Sequence, residues 1–277
     1  MGRPYARSRI VEAIDYAIID KMRTNLKEKV ALVTGASSGL GARFARVLAA
    51  NGALTVLAAR RLERLKDLRA EIEASGGAAH IVALDVTDQE SIEAAIEQTE
   101  RDVGPIDILV NNSGVSTAQR LTEVTTVDYD FMFDTNVKGA FFVAQAVAKQ
   151  MIARSKRQQG LRGRIVNIAS IAGTRVLPDI GVYCMSKAAV IHMTRSQAVE
   201  WGRYGINVNA ICPGYIRTEM NDAMWETERG AKLLDRLPRK KVGTAEDLDG
   251  VLLLLVAEES QFINGAIIAA DDGMSVA

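Results

Sequence analysis

Lys29-Val30-Ala31-Leu32-Val33-Thr34-Gly35-Ala36-Ser37-Ser38-Gly39-Leu40-Gly41 is the stretch that decides the fold. Its first six residues are a short apolar run rich in β-branched side chains, the pattern of a strand covered on both faces. Gly35, Gly39 and Gly41 follow in a Gly-x-x-x-Gly-x-Gly spacing, and Phe44, Val47 and Leu48 then recur at helical intervals. Strand, glycine-rich turn and helix in that order suit a phosphate site. Glycines let the backbone turn tightly and approach a ligand, and the helix N-terminus presents N–H groups to a pyrophosphate. The motif alone leaves a purely structural turn open.

Moving outward, Leu54-Thr55-Val56-Leu57-Ala58-Ala59 reads as a second strand and runs into Arg60-Arg61. In a dinucleotide fold an acid at this point takes the ribose 2′-hydroxyl, whereas a guanidinium accommodates a 2′-phosphate. No acid occurs until Glu63, so NADP(H) is favoured over NAD(H); the competing reading is that Arg60 and Arg61 merely open a charged helix. The alternation continues with a helix over 62–74, a strand over 79–84 followed by Asp85-Val86, and a helix through Ile92, Ala95 and Ile96. A strand over 106–110 closes on Asn111-Asn112-Ser113-Gly114, and a long helix over 127–153 carries Asn136. A basic loop (154–164), a strand over 164–169 ending at Ser170, and a helix from Tyr183 to Trp201 come next. A strand over 206–211 ends in Cys212-Pro213-Gly214, and a helix over 247–257 and a strand over 266–270 complete the series. About seven strands alternating with six helices predict an α/β fold, a doubly wound parallel sheet in a single domain. Ligands bind such sheets at the carboxyl ends of the strands, where Gly35, Arg60, Asp85, Asn112, Ser170 and Pro213 all fall.

Tyr183 and Lys187 are four residues apart on one helix and project from one face. Both side chains have ordinary pKa values near 10, and a neighbouring cation favours the phenolate, which brings a tyrosine within range of acid–base work. Taken alone, the pair is far more often a core-facing Tyr with a solvent-facing Lys, and its surroundings must decide.

Bulk properties narrow the function. The 277 residues carry 34 basic and 34 acidic side chains, which argues against nucleic acid as a partner. Only His80 and His192 are present, without metal-ligand spacing, so no metal is expected. Cys184 and Cys212 give no disulfide framework and suggest a reducing compartment. No apolar run is long enough to span a membrane, and Met1 to Arg7 lack the apolar core of a secretory signal, so a cytoplasmic location is expected. Ile10, Val11, Ile14, Ile18, Ile19 and Met22 predict an amphipathic helical arm within 1–25, ahead of a domain over 26–277 that holds both cofactor and substrate sites.

Thr34 to Gly41, Asp85-Val86, Asn111 to Gly114, Asn136, Ser170, Tyr183-x-x-x-Lys187 and Pro213-Gly214 together resemble, in order and spacing, the short-chain dehydrogenases/reductases. The likeness covers residues from about 26 to 274 and is similar to that of 3-oxoacyl-ACP reductase-like members. The resemblance implies a Rossmann-type fold, usually in a homotetramer or homodimer, and hydride transfer between NADP(H) and a carbonyl or secondary alcohol. It implies that Tyr183 is the general acid/base, that Lys187 holds the nicotinamide ribose and depresses the tyrosine pKa, and that Ser170 hydrogen-bonds the substrate oxygen. Asn136 would anchor a water linking Lys187 to solvent. Gly35, Ser37, Ser38, Gly39, Leu40 and Gly41 would contact the cofactor's phosphates, with Arg60 and Arg61 at the 2′-phosphate. Asp85 and Val86 would flank the adenine, Asn112 and Gly114 would line the dinucleotide, and Pro213, Gly214, Ile216 and Thr218 would meet its nicotinamide end. A non-catalytic NADP(H)-binding sensor or scaffold is the alternative, against which the complete set of Asn136, Ser170, Tyr183 and Lys187 argues. The chain departs from the family in Ser113 for the common Ala, in Asp271-Asp272-Gly273 for Asp-Gly-Gly, and in its N-terminal arm. Segments 115–120, 171–182 and 215–240 are expected to form the substrate pocket, the last as a mobile lid.

Overall fold

β1 (Val30–Thr34) is buried along its whole length because its side chains alternate between two cores. Ala31 and Val33 pack into the cluster on one face of the sheet, and Val30 and Leu32 into the cluster on the other. This is why the run is apolar throughout rather than every second residue. The computed structural model describes residues 24–157, 160–219 and 221–276; the arm expected within 1–25 lies outside them but for its last two residues.

Seven parallel strands form one sheet in the order β3-β2-β1-β4-β5-β6-β7. Beyond β1 they are β2 (Leu54–Ala59), β3 (Ala78–Ala83), β4 (Ile106–Asn111), β5 (Gly163–Ile168), β6 (Ile206–Pro213) and β7 (Ile267–Ala270). β3 and β5 begin one residue earlier than the apolar pattern predicts, since Ala78 pairs with Leu54 and Gly163 with Ile206. Connections run outward in one direction from β1 to β3 and in the other from β4 to β7. The order therefore switches between β1 and β4, and the crevice beyond their carboxyl ends is where such folds bind ligands.

Helices α1 (Gly39–Ala50), α2 (Leu62–Ala74) and α3 (Gln89–Asp102) join the first strands. α3 starts where the Asp88 carboxylate accepts the Glu90 N–H. The helix expected over 127–153 is divided into α4 (Thr126–Phe133), a π turn at Asp134–Gly139 and α5 (Ala140–Ser155). Packing explains the glycine that ends this turn: a Cβ on Gly139 would stand 2.5 Å from the Val86 carbonyl oxygen. Asn136, within this turn, is buried. α6 (Gly181–Trp201) carries Tyr183 and Lys187. Two short helices, α7 (Asp222–Trp225) and α8 (Glu228–Leu234), occupy the segment expected to be a lid, and the helix expected over 247–257 opens with a 3-10 turn before α9 (Asp249–Val256).

Candidate active site

The glycine turn is shaped by contacts that no side chain could share. Gly35 and Gly39 have φ of +66° and +54°, and a Cβ on Gly41 would lie 2.3 Å from the Gly35 carbonyl. From β4, the Asn112 side chain donates to the Thr34 carbonyl at 3.0 Å, while the Asn112 and Ser113 N–H groups both donate to the Thr34 hydroxyl. Asn112 is thus a brace between β4 and the turn. The first turn of α1 has neither an acidic residue nor a side-chain cap from Ser38, so its N–H groups and dipole face the crevice.

Two guanidiniums stand beside this turn, and the structure separates their roles. Arg61 donates to the Ser37 hydroxyl at 2.8 Å and the Ser38 hydroxyl at 2.7 Å, so its charge lies over the glycine turn. Arg60 instead pairs with Asp85 at 3.6 Å. Burial works to raise the Asp85 pKa, but hydrogen bonds from Thr87 and the charge of Arg60 outweigh it and hold the carboxyl below its usual range. Val86 is buried against the π turn rather than open to the crevice. Ile216 is likewise a core residue, bridged to Gly243, whereas Thr218 approaches Gly39, with its methyl 3.7 Å from where a Cβ would stand there. Pro213 ends β6, and Gly214 abuts Asp271 closely enough that a Cβ would come within 2.8 Å.

Ser170, Tyr183, Lys187 and Asn136 converge at the ends of β4 and β5. Burial raises the Tyr183 phenol above its ordinary pKa, and a hydrogen bond with the Ser170 hydroxyl draws it back only in part. The expectation that Lys187 lowers the phenol is not met: the ammonium lies 5.7 Å from the ring centroid and donates to the Ile168 carbonyl at 2.9 Å. Lys187 is itself brought down to about 8 by burial. A glycine permits this contact, since a Cβ on Gly173 would lie 2.7 Å from the Lys187 backbone. Gly114 faces the same groups: a Cβ there would be 3.3 Å from Asn136 Oδ1 and 3.4 Å from Lys187 Nζ.

Asn136 is fully engaged. Its Oδ1 accepts the Val115 N–H at 2.8 Å, and its Nδ2 donates to the Val115 carbonyl at 2.9 Å and the Ser186 hydroxyl at 3.0 Å. Ser186 in turn donates to the Tyr183 carbonyl at 2.8 Å. A second buried chain runs from Asn111 through Asn167 to Thr194 and Gln197, fastening α6 to β4 and β5. Sequence reasoning missed Ser186, Thr194 and Gln197; the available signal was a polar residue on a helix face packed against the sheet. Burial pushes the Cys212 thiol up to about 11, so it stays protonated behind Ser170. Among the described residues no group of His, Cys, Asp or Glu could hold a metal, and no helix is long and apolar enough to cross a membrane.

The family model described as Enoyl-(Acyl carrier protein) reductase matches residues 35–275. Gluconate 5-dehydrogenase of Gluconobacter oxydans (strain 621H) is 40% identical over 247 residues, 89% of this chain and 94% of that protein. Sorbitol dehydrogenase of Cereibacter sphaeroides is 39% identical, over 90% of this chain and 98% of its own length. The crystal structure of a gluconate 5-dehydrogenase from Burkholderia cenocepacia J2315 in complex with NADP and tartrate is 36% identical and superposes with a TM-score of 0.86, covering 92% of this chain and 98% of that one. The chain belongs to the short-chain dehydrogenase/reductase family and is an NAD(P)-dependent oxidoreductase acting on CH–OH groups.

Proposed function

We propose that the protein interconverts a secondary alcohol of a polyol or sugar acid and the corresponding ketone, with NADP(H) preferred over NAD(H) and Tyr183 as the general acid/base. One observation carries the reading: Tyr183 and Ser170 share a hydrogen bond beside Lys187, at the carboxyl edge of the sheet. The residues fit a dinucleotide. The uncapped N-terminus of α1 and the close-packed turn over Gly35, Ser37, Ser38, Gly39, Leu40 and Gly41 suit its pyrophosphate, and Arg61 over the two serines suits a 2′-phosphate. Gly114, packed against Asn136 and Lys187 so closely that a Cβ would crowd both, fits a position where a dinucleotide passes close to the backbone within reach of the amine.

When bound, the nicotinamide supplies a hydride in one direction and accepts it in the other. The protein does the rest. As negative charge grows on the substrate oxygen during reduction, Ser170 and Tyr183 both donate hydrogen bonds to it, and Tyr183 transfers its phenolic proton there. In oxidation the Tyr183 phenolate takes the hydroxyl proton back. A phenol held above its ordinary pKa keeps its proton at neutral pH, which favours reduction there and oxidation in alkali. Lys187 would hold the ribose hydroxyls, and Asn136 keeps the Val115 backbone and α6 in place. Residues 26–277 would hold both sites. The buried thiols fit a cytoplasmic protein. A homodimer or homotetramer is proposed from the exposed aromatics Phe131 and Phe141, the latter lining a hollow of about 410 Å³ with Val137 and Met193.

The test is a spectrophotometric panel with gluconate, sorbitol and galactitol against a 3-oxoacyl thioester, each with NADP(H) and NAD(H). Turnover of a polyol or sugar acid with NADP(H) is expected; turnover of the thioester alone would remove the substrate assignment.

A further inference from the structure

The segment after β6 is a loop closed at its neck. Arg217 N–H donates to the Gly243 carbonyl at 2.9 Å and Gly243 N–H to the Tyr215 carbonyl at 2.9 Å, so the chain leaves and re-enters the body at one point. Between those bonds the loop carries its own packing, with Trp225 buried edge-on against Tyr215 and Leu237 also buried. A loop built this way can swing about its neck as a unit, and its resting position depends on what it touches beyond itself.

Two of those outside contacts are ionic, and they lie near opposite ends of the segment in sequence. Glu219 accepts from Arg64 of α2 at 2.7 Å, across 155 residues of sequence. Arg64 lies in the first turn of α2, three residues after Arg61, whose guanidinium rests on the glycine turn. Thr218, next to Glu219, lies against the glycine turn. Near the other end Arg239 pairs with Asp272. Asp272 stands where the family has glycine, and its φ of +61° explains the glycine. This chain accepts a non-glycine residue in a left-handed position and gains a carboxylate that reaches the loop.

We propose that Arg64 and Glu219 form a clasp across the dinucleotide crevice, with Arg239 and Asp272 securing the other end of the segment, and that this clasp sets how long the cofactor stays bound. Both residues are positioning residues that act through the loop carrying Thr218. The inference rests on the crevice being the dinucleotide site. Because the side chains are exposed, with 47% of Arg64 and 66% of Glu219 accessible, each pair is weak and open to screening by salt. A weak clasp suits a loop that opens in every cycle.

The experiment measures NADPH dissociation by stopped-flow fluorescence in the full chain, at roughly 0.05 M and 0.5 M salt. Glu219→Gln and Arg64→Gln should each speed release by about two- to fivefold at low salt and flatten its salt dependence. The reversed pair, Arg64→Glu with Glu219→Arg, should return the rate towards wild type, while either reversal alone is faster than its Gln variant. Asp272→Gly should speed release without altering the effect of Glu219→Gln. Backbone hydrogen exchange in 221–240 gives a readout without cofactor and should quicken in Glu219→Gln. Unchanged release and exchange in both Gln variants, or no recovery in the reversed pair, would overturn the clasp. If neither NADPH nor NADH binds, the dinucleotide reading fails, and unchanged exchange in Glu219→Gln would then dispose of the clasp as well.

Discussion

The two walls of the crevice are held by opposite means. On the strand-end wall, Asn112, Asn136, Asn167, Ser186 and Lys187 are fixed by hydrogen bonds inside the protein, most of them buried. On the loop wall, Glu219, Arg217, Arg239 and Lys240 are exposed and joined by ion pairs that water and salt contest. A buried polar group left without its partner costs about 1–3 kcal/mol, whereas an exposed ion pair contributes about 0–1 kcal/mol. The groups proposed to handle a proton therefore sit where displacement is expensive, and those proposed to admit and release a cofactor sit where it is cheap.

Substitutions on the first wall should have the larger effects. Tyr183→Phe should lower turnover by roughly two to four orders of magnitude while leaving NADPH binding intact, as read by steady-state kinetics and fluorescence titration. Lys187→Met should also abolish turnover, but with a stability signature of its own. The Lys187 amine titrates near 10.5 in the unfolded chain and about 8 in the folded one. Below pH 8 the fold must bury an ammonium, so wild-type stability rises as pH climbs from 8 to 10.5. Removing the amine should stabilise the protein by up to about 3 kcal/mol at pH 7, less whatever the Ile168 carbonyl loses, and the gain should fade towards pH 10.5. Urea unfolding of both proteins at the two pH values checks this. Asn136→Ala should cost about 1–3 kcal/mol in the same assay, because the Val115 N–H and carbonyl both lose their partner.

The loop-side edge should respond in specificity rather than in stability. Arg61→Asp should shift the NADPH/NADH ratio of kcat/KM by at least about tenfold towards NADH. Arg60→Asp should shift it less, since Arg60 already spends its charge on Asp85. A larger effect from Arg60 would reverse the roles assigned to the two guanidiniums. Smallest of all are the clasp substitutions.

Much of the strand-end wall was legible in the sequence. Gly35 to Gly41, Asn112, Ser170 and Pro213 each end an apolar run, and a parallel sheet gathers such ends on one edge. Tyr183 and Lys187 were legible as one helical face. The π turn at Asp134–Gly139 was not, because one extra residue shifts the phase of a helix too little to disturb its apolar stripe. α7 and α8 have 4 and 7 residues, too few to establish a period. Arg60 and Arg61 are adjacent and chemically identical, and only their side-chain directions distinguish the one that faces Ser37 from the one that faces Asp85. The direction of the Tyr183 shift was likewise hidden, because the four-residue spacing places Lys187 near the ring without saying that its ammonium is turned to Ile168.

Whether the Tyr183 phenol moves the proton, as proposed, is tested most directly by the pH dependence of alcohol oxidation in wild type and Tyr183→Phe. The wild-type rate should climb into alkali as the phenolate forms, and the Tyr183→Phe rate should be at least about a hundredfold lower and have lost that climb. A variant that keeps the wild-type rate, or keeps the same alkaline climb, would contradict the proposal.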